Sequence, residues 1–390
     1  MSPRPPSPMV RGRLARAGTA LRAARIAFHG RPPGEAAFAV RQLVAAVRRR
    51  HGFDLPLRRV RAGGRIFVDP AVPGWPSPAL DRFLEGELER IAPTRPGEPP
   101  LHLAILAVTR RCGLRCLHCS DADLLGTDEA VPVPELVRIA GDLVELGASN
   151  LELTGGEPML RLDAVEAVAR AHGSRADVWV LTSGVGLDPA AAERLRSAGV
   201  TGAMVSIDHW EPERHDAFRG ARGTFERATA GVRAAAAAGL VAGISFTATR
   251  EVGASDLDRM AWLGRDLGAG FLRILEPRAV GRWAGQDVAL RPGQVDLLLR
   301  FARTVNARRS DLPVVELPAL GQRTVGCSGG GDRFLFVDAE GRLHACPFCR
   351  GQAGSARGGA LPEALARLRA RGCHAFPDAS PVRLGRGVAV

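Results

Sequence analysis

Two residue types are missing altogether: the chain has no tyrosine, and every one of its 53 basic residues is an arginine. Coding bias accounts for Arg in place of Lys, but not for a second shortage. Residues 1–65 hold 15 Arg against only Glu35 and Asp54, a local balance of +13 in a chain whose total is +12, so the rest comes to −1. No apolar run approaches the ~18 residues of a membrane span, and the N-terminus lacks the apolar stretch of a secretory signal. The seven cysteines are odd in number and fall in two groups rather than at disulfide-like intervals. That pattern predicts a reducing, cytoplasmic location with metal-bound thiolates.

What is present is ordinary for a globular protein, with 46% hydrophobic and 24% charged residues. The length allows two or three domains. Residues 1–98 read as a basic N-terminal region. Val10, Leu14, Ala17, Leu21, Ala24 and Phe28 step by four and three, the apolar face of one helix, and Ala36, Val40, Leu43 and Val47 mark a second. Basic amphipathic helices of this kind suit an anionic lipid surface, or an acidic peptide or nucleic acid, with nucleic acid the less favoured. They equally suit a helical extension packed on the main domain, or an organellar transit sequence. A hairpin around Gly63-Gly64 and a helix from Pro78 to Ile91 follow, and four prolines between 93 and 100 close the region.

Residues 99–290 alternate strand and helix. Strands are expected at Leu103–Val108, Asn150–Thr154, Val178–Thr182, Ala203–Ile207, Ala242–Ala248 and Phe271–Leu275, with helical stretches between them. Nearly continuous apolar strands imply burial on both faces and a parallel sheet, doubly wound or curled into a barrel. In either form ligands gather at the C-terminal strand ends.

At the first such end stand Cys112, Cys116 and Cys119, in C-x3-C-x2-C spacing. Three thiolates on a tight loop can hold three irons of a cubic cluster and leave the fourth open. A structural zinc site is the alternative, with His118 as the fourth ligand. At the second strand end stands Thr154-Gly155-Gly156-Glu157-Pro158.

These two motifs together resemble the radical S-adenosylmethionine (radical SAM) enzymes, over roughly residues 101 to 280. The resemblance implies an α/β fold, a partial (β/α)6 TIM-type barrel, with a [4Fe–4S] cluster on the three cysteines and S-adenosylmethionine on the open iron. One electron then splits that molecule into methionine and a 5′-deoxyadenosyl radical. His118 stands where the family usually carries an aromatic ring. Gly155 and Gly156 would let a backbone approach the methionyl group, Glu157 would accept from its ammonium, and Pro158 completes the turn. Ser183 and Ser206, at the third and fourth strand ends, resemble the family's ribose and carboxylate contacts, and Arg219 is a candidate partner of the methionyl carboxylate. Asp208, His209 and Glu276 are candidates for substrate contact or proton transfer at the same mouth.

Residues 291–390 have a different texture, a small cysteine-rich α+β region. Cys327, Gly341, Cys346, Cys349 and Cys373 resemble a shortened form of the SPASM extension, the twitch type, which holds one further [4Fe–4S] cluster. Four-cysteine zinc is the alternative. The expected activity is hydrogen abstraction from a precursor peptide or small natural product, oxidising or crosslinking it, with a flavodoxin or ferredoxin as electron donor. Two other readings stand beside it: a radical enzyme recruited to lipid or nucleic acid by residues 10–50, and a non-catalytic iron–sulfur or zinc protein. No cobalamin-binding domain is recognisable, and the chain lacks the Gly-Gly terminus of the molybdenum-cofactor branch.

Overall fold

The computed structural model describes residues 9, 14–29, 31–51, 58–94, 96–308, 310–319, 327, 329–349 and 351–371. Cys373 lies outside them, as does Val10 of the first helical pattern. Two helices, α1 (Leu14–Phe28) and α2 (Pro33–His51), precede a hairpin of β1 (Val60–Ala62) and β2 (Arg65–Phe67) and a third helix, α3 (Pro78–Ile91). There follow β3 (Leu103–Ala107), α4 (Val133–Glu145), β4 (Asn150–Thr154), α5 (Leu162–His172), β5 (Asp177–Thr182), α6 (Pro189–Ala198) and β6 (Gly202–Ser206). Next come α7 (Pro212–Arg219), α8 (Thr224–Ala237), β7 (Val241–Thr247), α9 (Ala254–Leu267), β8 (Phe271–Leu275), α10 (Pro292–Ala307) and β9 (Val314–Glu316). The described chain closes with β10 (Phe334–Val337), β11 (Arg342–His344), β12 (Gly354–Ser355) and α11 (Leu361–Arg371).

All six strands expected from the sequence form, in the expected order and all parallel. They are buried along nearly their whole length because helices cover the sheet. Two strands beyond the expected six lengthen the parallel run. β9 adds beside β8, and β10 adds beside β3 at the opposite edge, with β11 and β12 continuing antiparallel. The cysteine-rich region therefore hangs its hairpin on the strand that leads into the first cysteine loop.

The sheet curls. Arg273 on β8 donates to Glu152 on β4 at 3.0 Å and to Glu316 on β9 at 2.8 Å, an ion triad linking strands four apart in the sheet order. Below it, the N-terminal strand ends are closed by the β1–β2 hairpin. Val60 and Phe67 pack against Trp179, Met204, Val241, Phe271 and Val314. Arg65 is fixed to Asp177 at 2.5 Å beside them. The chemistry at the other end is thus sealed from solvent on one side by a plug that precedes the barrel in sequence.

The N-terminal helices pack on α3 through four alanines, Ala23 and Ala27 of α1 and Ala36 and Ala39 of α2, together with Leu43 of α2. This corrects the apolar stripe expected for α1. Leu21 and Phe28 of that stripe are 74% and 52% exposed. Alanines permit close helix approach, and their selection as the contact face turns the larger stripe outward. Among the described residues no helix is long and apolar enough to cross a membrane.

Candidate active site

Each expected site residue between 112 and 276 lies at a C-terminal strand end or in the loop or helix that follows it. The first two motifs are joined through their backbones. Gly156 N–H donates to the Thr109 carbonyl at 2.9 Å, and Glu157 N–H to that of Arg111 at 2.8 Å. The two glycines make that joining possible. A Cβ on Gly156 would lie 2.3 Å from the Arg111 oxygen and 3.0 Å from Cys112 Cβ. One on Gly155 would lie 2.5 Å from the Thr109 oxygen, and Gly155 also holds a φ of +143°. The close approach that these glycines permit in the structure is thus that of the cysteine loop itself.

Glu157 is buried and already engaged on both oxygens. Oε1 accepts from Thr182 Oγ1 at 2.6 Å and Met159 N–H at 3.1 Å, and Oε2 from Ser183 N–H at 2.8 Å and from Ser183 Oγ. Burial pushes its pKa above the ordinary carboxylate value, against the pull of these donors. It ties the end of β4 to the end of β5. Pro158, buried, begins the 3-10 turn that Glu157 caps. Glu129 and Arg161 brace the same corner. Glu129 accepts from Thr109 and Arg111, while Arg161 donates to the carbonyls of Val108 and Val131.

The cysteine loop is strapped from its other side by the end of α7, a helix too poor in apolar residues to announce itself in the sequence. Arg115 N–H donates to the Arg219 carbonyl at 3.1 Å and Leu117 N–H to that of Phe218 at 2.9 Å. Inside the strap, the His118 ring lies 5.0 Å from that of Phe218 and 5.9 Å from that of Trp283. Burial drives His118 down to about 4, so it is a neutral imidazole. Burial also pushes Cys119 up to about 11 and raises Cys112. Iron binding would take the place of those thiol protons. Donors to sulfur are in position: Leu114 N–H lies 3.4 Å from Cys112 Sγ and Arg219 Nη1 3.6 Å from Cys116 Sγ.

The fourth strand end belongs to a buried charge cluster. Asp208 Oδ1 accepts from Thr247 N–H at 3.0 Å, and Oδ2 is 2.5 Å from Arg219 Nη2 as an ion pair. Burial works against the Asp208 charge, yet Arg219 and the surrounding donors hold it below the usual carboxylate value. His215 Nδ1 accepts from Asp208 N–H at 3.1 Å, and burial takes this imidazole down to about 4. His209 turns back on its own loop, where Nδ1 accepts from Glu211 N–H at 2.9 Å. Ser206 stands beside Ser245 in the register of β6 and β7, Ser183 is buried against Glu157, and half-buried Glu276 follows the last residue of β8. Thr109, Phe218, Trp283 and Thr247 had no motif to signal them; each works through a fold-dependent contact.

The residues fit a cluster and a polar ligand. His118 Nδ1 and Arg219 Nε are buried nitrogens without a hydrogen-bond partner. In the C-terminal hairpin, Cys327, Cys346 and Cys349 are buried, and Cys349 N–H donates to Cys346 Sγ at 3.2 Å. Gly329 brings Cys327 to that turn, since a Cβ there would touch both Cys327 Sγ, at 3.4 Å, and the Ala345 oxygen, at 3.0 Å. Among the described residues no three of His, Cys, Asp and Glu gather tightly enough to hold a single metal ion.

Comparison with known proteins agrees with this geometry. The sequence profile of the Radical SAM superfamily matches residues 106–253. The PqqA peptide cyclase of Gluconobacter oxydans is 30% identical over 254 residues, covering 64% of this chain and 70% of the cyclase. An AdoMet-dependent heme synthase of Nitratidesulfovibrio vulgaris is 27% identical over 292 residues, covering 68% of this chain and 79% of the synthase. In three dimensions the chain is similar to Streptococcus suis SuiB bound to precursor peptide SuiA, with a TM-score of 0.54 at 13% identity, over 67% of this chain. It spans 64% of the length of SuiB. With the cysteine loop, the glycine turn and the parallel barrel strands all in place, the chain is an enzyme that belongs to the radical SAM superfamily.

Proposed function

We propose that this enzyme holds two [4Fe–4S] clusters and S-adenosylmethionine, and removes a hydrogen atom from a carbon of a peptide, oxidising or crosslinking it. The carrying observation is the backbone joining of Thr109–Arg111 to Gly156–Glu157, which fixes three cysteines against a glycine turn at one mouth. When bound, the cluster and S-adenosylmethionine supply one electron and a 5′-deoxyadenosyl radical. The chain's own residues position and exclude water. Cys112, Cys116 and Cys119 hold the cluster, His118 and Arg219 offer buried nitrogens and Ser206 a hydroxyl to S-adenosylmethionine, and Glu276 is a candidate for substrate contact. A small acidic carrier of the flavodoxin or ferredoxin type delivers the electron.

The second cluster is assigned to Cys327, Cys346 and Cys349, with Cys373 as fourth ligand. A peptide substrate is favoured by the names of two similar proteins, a peptide cyclase and a precursor-peptide complex; a small natural product is the alternative. Anaerobic reconstitution should load about eight irons per chain. The reduced protein should then release 5′-deoxyadenosine and act on a short peptide encoded beside its gene, which loses two hydrogens. About four irons with one zinc would remove the second cluster. Cleavage of S-adenosylmethionine by Cys112→Ala would remove the central reading.

The outward stripe of α1 favours a further partner, an anionic membrane surface. A single helix face is convex and offers no groove to a peptide, while Leu21 and Phe28 protrude from a region with 15 Arg and two carboxylates. Cosedimentation with vesicles containing phosphatidylglycerol, lost in Leu21→Asp/Phe28→Asp, is the expected result. Equal retention of that double variant, or preference for duplex DNA, overturns it.

A further inference from the structure

Arg219 occupies an unusual place for a guanidinium. It is the last residue of α7, its carbonyl is bound by Arg115 of the cysteine loop, and its side chain is almost wholly removed from solvent. A Cβ on the next residue, Gly220, would lie 2.8 Å from the Arg115 oxygen, and Gly220 has a φ of +69°, so the loop and the helix end sit backbone to backbone. From that anchor the fork divides. Nη1 donates toward Cys116 Sγ at 3.6 Å, and Nη2 sits 2.5 Å from Asp208 Oδ2. Asp208 is itself pinned by Thr247 N–H and by its own N–H on His215. The cation cannot swing away without leaving a buried carboxylate uncompensated.

We propose that Arg219 sets the reduction potential of the cluster held by Cys112, Cys116 and Cys119, with Asp208 as its counterweight. The proposal rests on the cluster reading given above. Reduction adds one electron from the external donor to the cluster and moves no proton, so the cluster gains one negative charge. A fixed cation donating to a ligand sulfur favours that reduced state, because hydrogen bonds to sulfur and local charge are what the protein uses to tune such clusters. Burial makes the effect large, since little water screens it. Asp208 opposes it from the far side of the fork. The pair therefore acts as an oriented dipole whose positive end meets Cys116.

The test is a redox titration of the reconstituted full-length protein, followed by electron paramagnetic resonance. The relevant signal is the one that changes when S-adenosylmethionine is added. Arg219→Gln is expected to move the midpoint to more negative potential and Arg219→Lys to move it less. Asp208→Asn is expected to move it the other way, because a counter-charge is lost while the cation stays. Iron content and circular dichroism accompany each variant. An unchanged midpoint in iron-loaded Arg219→Gln overturns the proposal, as does a shift of the same sign in Arg219→Gln and Asp208→Asn. Weaker S-adenosylmethionine binding with an unchanged ligand-free potential makes Arg219 a carboxylate clamp instead, and also overturns it. If Arg219→Gln loads no iron, Arg219→Lys and Asp208→Asn decide by the same signs. Failure of the wild-type chain to load iron at these cysteines is a distinct result and strikes the cluster reading itself.

Discussion

Oε2 of Glu157 accepts the backbone N–H of Ser183 at 2.8 Å, across the gap between the ends of β4 and β5. With Thr182 and Met159 donating to the other oxygen, this carboxylate is a strut between two strand ends. Glu157→Gln places an amide group where an acceptor is required. A loss of about 1–3 kcal/mol is expected from one buried donor left unmade. Urea denaturation with unchanged slope would show it, whereas a midpoint equal to that of the wild type would mean that the strut carries no load.

Gly156 and Gly113 lie close to the same cysteine loop but should respond oppositely to Ala. A Cβ at Gly156 meets the Arg111 oxygen at 2.3 Å, and one at Gly113 meets nothing within 4 Å. Gly156→Ala is expected to cut iron loading and 5′-deoxyadenosine release at least about tenfold, because a displacement near 1 Å at a reacting site is costly. Gly113→Ala should retain both. Equal behaviour of the two variants would show that the joining of the loops is unnecessary.

The hairpin plug predicts where stability resides. Phe67 is buried against Trp179, with ring centroids 6.5 Å apart, so Phe67→Ala should cost about 3–5 kcal/mol. Leu21→Ser, on the outward stripe, should stay within about 0.5 kcal/mol. Thermal denaturation of the two variants side by side checks the contrast, and a larger loss for Leu21→Ser would mean that its face is covered.

The barrel triad gives a pH dependence. Burial, together with the Asp69 carboxylate, pushes Glu316 up to about 7 against the pull of Arg273. The folded state then binds the proton more tightly than the unfolded chain, whose carboxyl titrates near 4.3. Stability from this group is greatest below the unfolded value and declines as pH rises toward 7. Glu316→Gln should flatten the fall in melting temperature between pH 5 and 7. Glu152→Gln should lower stability throughout, since it takes a carboxylate partner from buried Arg273, and should ease the slope only slightly, because the Glu152 charge is a minor one of the causes that raise Glu316. An unaltered slope in Glu316→Gln would assign the titration elsewhere.

Local information was enough for six parallel strands, because each is a continuous apolar run punctuated by turn residues, and for the cysteine and glycine motifs, because cluster ligation needs fixed residue types at short spacing. It was not enough for α7, whose eight residues carry few apolar side chains, nor for β9, which becomes a strand only by adding to an edge made elsewhere in the chain, nor for the place of the β10 hairpin strand beside β3. Nor could it orient α1. The larger stripe of Leu21 and Phe28 looked like the buried face, yet packing against α3 selected the alanines. The same holds for Glu157 and Arg219. Their identity was plain from the motifs, but their partners, Ser183 and Cys116, lie 26 and 103 residues away. By itself the sequence determined the chemistry this chain is equipped for, since ligand type and spacing are local. Which charges face the cysteines, and which surface is left open, was decided only by the fold, because burial and long-range contact belong to the whole chain.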